Sequence, residues 1–82
     1  MKILAIGTDP TQKFLVVENA GMYYAINGND GIRIERPDSA YKFGNYKDYE
    51  GELSPARITA IQKIVDDVGD DLPNWYKEEI PD

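Results

Sequence analysis

Residues 22–36 read MYYAINGNDGIRIER. The first five, MYYAI, are rich in aromatic and apolar side chains of the kind that suit a strand. The cluster NGNDG at 27–31 is the strongest turn signal in the chain, because Gly and Asn take φ > 0 at little cost. IRIER at 32–36 then alternates, with Ile32 and Ile34 on one face and Arg33 and Glu35 on the other. Pro37 ends the run. Two strands joined by a short polar turn predict an antiparallel hairpin.

Working outward toward the N-terminus, FLVVE at 14–18 is β-branched and aromatic, and Asn19-Ala20-Gly21 makes a short connection to the hairpin. KILAI at 2–6 is a short apolar run that stops in the turn-rich GTDPT. Four short strands with tight connections predict an antiparallel meander with one face in the core.

Toward the C-terminus the period changes. Ser54-Pro55 is a helix start, since serine accepts from a free N–H and proline suits the first helical position. Apolar residues follow at Ile58, Ile61, Val65 and Val68, with Ile64 alongside. They form one amphipathic stripe over 55–68, and Gly69 is the natural stop. The fold class predicted is α+β: a four-stranded antiparallel meander packed by this helix. The 17 residues at 37–53, PDSAYKFGNYKDYEGEL, are long for a structureless connection. They add a fifth strand around Tyr41–Phe43, or else they form a working loop. A small SH3-like barrel with an appended helix is the alternative architecture. In the last segment, 70–82, Leu72, Trp75 or Tyr76, and Ile80 recur at helical spacing. This predicts a short helical turn that docks through its aromatics.

Eighty-two residues make one domain with a small core. The chain has neither cysteine nor histidine. That removes thiolate nucleophiles, imidazole bases and Cys/His zinc frameworks, and it favours a reducing cytoplasm over secretion. The N-terminal apolar run ends at Gly7, too short for a signal peptide core or a membrane span. Ser54 is explained as a cap, LAIGTDPTQK has a single glycine after its strand, and no carboxylate pair is marked for acid–base work. A non-enzyme without metal or cofactor is expected. NGNDG supplies Asp30 and a turn glycine, Gly31, but the first and third calcium-ligand positions would be Ile26 and Gly28.

Net charge is −6, and its distribution is uneven. Up to Val65, eight acids balance eight bases. From Asp66 onward, Asp66, Asp67, Asp70, Asp71, Glu78, Glu79 and Asp82 face Lys77 alone. Asp66 and Asp67 occupy the last turn of a helix, where the macrodipole disfavours negative charge. Local rules tend to be broken where function requires it. An acidic end repels phosphate, so the expected partner is a protein with a basic surface; direct nucleic-acid binding and a membrane are not expected. The carboxylates would block a cationic groove that otherwise holds nucleic acid, with Tyr41, Tyr46, Tyr49 and Trp75 as apolar anchors.

At the level of class, this small, cysteine-free, acidic chain is similar to small phage-encoded inhibitors, among them DNA mimics and anti-CRISPR proteins. The similarity lies in size and charge, carries over no residue, and would place the chain in a host cytoplasm. A second reading is a module for a nucleotide-like molecule, held between the tyrosine-rich connection and the sheet by Lys42, Lys47, Arg33 and Arg36. A third is an accessory subunit that pairs through a sheet edge.

Overall fold

A five-stranded antiparallel sheet carries one α-helix in the computed structural model, which describes residues 1–10 and 14–73. The strands are β1 (Lys2–Gly7), β2 (Leu15–Asn19), β3 (Met22–Asn27), β4 (Asp30–Ile34) and β5 (Tyr46–Asp48). The helix is α1 (Pro55–Val68), and a 3-10 segment spans Pro37–Phe43. The sheet order is β4-β3-β2-β1-β5. The α+β class holds, and the sheet is open rather than a barrel: β1 to β4 form the predicted meander and β5 adds beside β1.

The hairpin predicted at 22–36 is present with a shorter turn. Asn27 pairs with Asp30, which leaves Gly28 and Asn29 as the turn residues. Gly28 has φ 63°, the positive value that a type II′ turn requires at its first central position. β4 therefore starts two residues earlier than the alternation suggested. In the β2–β3 turn Asn19 pairs with Met22, and the two central residues are Ala20 (φ 55°) and Gly21 (φ 80°). Two positive φ values suit a type I′ turn, but an alanine at the first of them is strained.

The fifth strand lies at Tyr46–Asp48, not around Tyr41–Phe43. Gly7, Ile6 and Ala5 of β1 pair with Tyr46, Lys47 and Asp48. Flanking bonds from the Thr8 N–H to the Asn45 carbonyl (2.9 Å) and from the Tyr49 N–H to the Leu4 carbonyl (3.1 Å) extend the ladder. Tyr41, Lys42 and Phe43 instead end the 3-10 segment, which opens on Pro37 and buries Ser39 and Ala40.

The expectation of one buried sheet face also needs correction: both faces are covered. Successive residues of a strand point to opposite sides. On β2, Leu15 and Val17 join Tyr24, Ile26, Ile61 and Val65 under the helix. Val16 faces the other way and joins Phe14, Ala25, Ile34 and Ala40 beneath the 3-10 segment. Ile32 and Ile34 share a face as predicted, but it is the 3-10 face, so Arg33 of β4 lies on the helix side.

α1 spans the predicted residues. Ser54 Oγ accepts from the Arg57 N–H at 3.2 Å, and the Gly69 N–H closes the last turn on the Val65 carbonyl at 3.1 Å. Ile61 and Val65 are buried and Ile64 and Val68 partly so. Ile58, counted in the stripe, is 41% exposed. Gly31 allows the close approach of helix to sheet, since a Cβ there would sit 2.7 Å from Ile64 Cγ2 and 2.8 Å from Ile26 Cδ1.

Candidate functional site

The end of α1 is held by two donors that rise from the sheet. The hydroxyl of Tyr24, a residue only 1% exposed, donates to the Gly69 carbonyl at 2.8 Å. Arg33 Nη1 donates to the carbonyl of Asp70. Carbonyls at a helix C-terminus lack intrahelical partners, and these two bonds supply them. The last turn of α1 has no basic residue of its own, so Arg33 brings the only cation bonded to this end among the described residues. Its Nε is buried without an acceptor there.

Around this anchored end stand the four predicted aspartates. Asp66, Asp67, Asp70 and Asp71 are all exposed. Asp66 Oδ1 accepts from Gln62 Nε2 at 3.0 Å. None of the four forms an ion pair among the described residues, where Arg36 and Asp38 make an exposed pair at 3.3 Å. The sheet adds a fifth carboxylate. Asp30, exposed at the start of β4, lines a shallow groove with Asn29, Gly31, Ile64, Asp67 and Val68. Sequence reasoning weighed Asp30 only as a calcium-loop residue. Its place beside the helix end depends on β4–α1 packing, which local sequence does not carry. Among the described residues, no three Asp or Glu side chains are grouped to hold a metal ion.

The tyrosines do not form one surface. Tyr41 is 68% exposed. Tyr46 packs edge-on against Phe14, with ring centroids 6.4 Å apart, and belongs to the core under the 3-10 segment. Tyr49 is half-buried and its ring lies over Gly51, where a Cβ would meet the hydroxyl at 2.9 Å. Tyr41 is thus the one tyrosine of the three that projects as an anchor. Trp75, Glu78, Glu79 and Asp82, and the helical turn predicted with them, lie outside the described residues.

A cleft of about 300 Å³ opens between the 3-10 segment and the sheet. Phe14, Ala25, Ile32 and Phe43 give it an apolar floor, and Asn27, Asp30 and Lys42 stand among its lining. The Phe14 and Phe43 rings are 6.1 Å apart and tilted by 60°. The predicted tyrosines do not line it. Of the four cations named for a nucleotide-like ligand, Lys42 alone does. Both sheet edges carry charge, Arg33 and Asp30 on β4 and Lys47 and Asp48 on β5, a pattern that discourages edge-to-edge pairing.

No protein-family model, curated protein or solved structure matches this chain. Among the described residues, no helix is long and apolar enough to cross a membrane.

Proposed function

We propose that this chain is a non-enzymatic interaction protein that sets its acidic end against a basic surface of another protein and blocks it. A surface that otherwise holds nucleic acid is the natural target, as for small phage-encoded inhibitors that mimic DNA. The observation that carries this reading is the collection of exposed carboxylates, Asp30, Asp66, Asp67, Asp70 and Asp71, at one helix end. Among the described residues none of the four helix-end aspartates forms an ion pair, and Arg33 bonds the Asp70 carbonyl, not a carboxylate. Such an array attracts a basic surface at long range and orients the encounter.

The test compares the wild-type chain with a variant in which Asp66, Asp67, Asp70 and Asp71 are all Asn. Each is used as bait in a bacterial lysate at low and high salt. The expected captives are basic, nucleic-acid-binding proteins, retained at low salt, released at high salt and lost with the variant. If the variant holds the same proteins as the wild type, the reading is wrong.

A further inference from the structure

The carboxylates supply attraction, but charge at an exposed rim adds little affinity by itself, and tight interfaces depend on apolar anchors in desolvated pockets. The described tyrosines supply one projecting side chain, Tyr41. The molecule offers a pocket as well. The apolar cleft opens on the 3-10 face and the acidic groove on the helix face; they meet at the edge strand β4, where they share Asp30 and Gly31. The cleft's volume, about 300 Å³, is at the lower end of sites that enclose small ligands.

We infer that this cleft is the anchor pocket of the interface: it receives one aromatic or branched aliphatic side chain carried on a basic segment of the partner protein. The inference rests on the acidic-surface reading. Arginines or lysines flanking that side chain lie against Asp30 and Asp67, while the side chain itself covers Phe14, Ala25, Ile32 and Phe43. The basic flank runs from the cleft toward Asp30 and the helix end, where the carboxylates stand. Charge complementarity selects this occupant over a free anion, because the nearest carboxylates repel phosphate.

Three short synthetic peptides of equal length test this. The first carries arginines around a central Phe; the second replaces the Phe with Ala; the third keeps the Phe and replaces the arginines with Gln. Each is titrated into the full chain while backbone amide shifts are followed by NMR. The Phe peptide is expected to bind about tenfold more tightly than the Ala peptide, the ratio expected for burying much of one apolar side chain. It should move the amides of Ala25, Ile32 and Phe43, whereas both arginine peptides should move those of Asp30, Asp66 and Asp67. Ile32→Trp, which fills the cleft from its floor, should abolish the advantage of Phe over Ala. Shift mapping on the wild type decides the matter even where that variant folds poorly.

Equal affinity of the Phe and Ala peptides, or Phe-dependent shifts elsewhere, would overturn the anchor pocket and leave the acidic surface standing. Equal affinity of the Arg and Gln peptides would overturn the acidic surface itself. Displacement of the Phe peptide by AMP or GMP, with shifts confined to the cleft, would assign the pocket to a small molecule instead.

Discussion

Arg33→Met separates the two things that Arg33 does, because the charge goes and most of the apolar stem stays. One bond to a charged donor is lost, at the Asp70 carbonyl, a type worth about 1.5–3 kcal/mol. The same substitution removes a buried Nε–H that has no acceptor among the described residues, relieving about 1–3 kcal/mol. These two effects oppose each other and are similar in size. The long-range part is not offset. A cation at a helix C-terminus contributes about 0.3–1 kcal/mol at low ionic strength. Its attraction to the exposed carboxylates of Asp66, Asp67, Asp70 and Asp71 adds a few tenths each, roughly, after solvent screening.

The screened part totals about 1–2 kcal/mol at ~0.01 M salt, where the Debye length is about 30 Å, and it fades at ~1 M, where the length is about 3 Å. The cost of Arg33→Met should therefore be about 1–2 kcal/mol greater in low salt than in high salt. For a domain of this size each kcal/mol moves Tm by about 4–8 °C. Urea unfolding followed by circular dichroism is the assay, since urea leaves ionic strength unchanged. Tyr24→Phe is the control. It removes the neutral bond to the Gly69 carbonyl and should cost about 1 kcal/mol at both salts. A cost for Arg33→Met that is equal at both salts, or larger in high salt, would refute the view that Arg33 offsets the charge of the helix end.

Ala20→Asn should stabilise the chain by about 1 kcal/mol, because the φ of 55° costs alanine and suits asparagine, and Asn-Gly is the favoured type I′ pair; a raised urea midpoint checks it. Gly7→Ala should destabilise by about 1–3 kcal/mol. Its Cβ would fall 2.7 Å and 2.8 Å from two ring carbons of Phe14, which is buried with Phe43 and Tyr46 nearby, and altered near-UV dichroism should accompany the loss. Ile61→Ala should cost about 2–5 kcal/mol, while Ile58→Glu should stay within about 0.5 kcal/mol, as their melting temperatures will show.

Features written in short-range chemistry were legible in the sequence. The turn at 27–31, the Ser54-Pro55 start and the Gly69 stop each depend on residues within a few positions, and each stands close to where it was expected. What failed depended on distant contacts. Tyr46-Lys47-Asp48 is three residues long and shows no period, so only its pairing to β1 makes it a strand. Ser39 and Ala40 are small and carry little hydrophobic signal, yet they cover the second face of the sheet. Ile58 fits the helical stripe by spacing, but α1 packs on β3 and β4 mainly through its later turns, which leaves Ile58 exposed. The candidate site divided in the same way. The aspartates at 66–71 were visible as charge; Asp30 and the cleft required the fold.

The fold also changes the argument about the acidic helix end. Carboxylates beside a helix C-terminus are unfavourable, and in the sequence that cost spoke for function together with the uneven charge distribution. Arg33 and Tyr24 now account for part of it, since they donate to the Asp70 and Gly69 carbonyls and bring one positive charge to the site. Tolerable charge is weaker testimony than costly charge, which leaves placement as the stronger ground. Solubility is served by carboxylates spread over a surface with both signs mixed. Here the side-chain charge up to Val65 balances, while Asp66, Asp67, Asp70 and Asp71 gather at one end, without ion pairs among the described residues, and Asp30 lines a groove with Asp67. Asp30 in turn walls an apolar cleft. Carboxylates that served only solubility would gain nothing from adjoining such a cleft. An interface that wraps the edge strand β4 would use both.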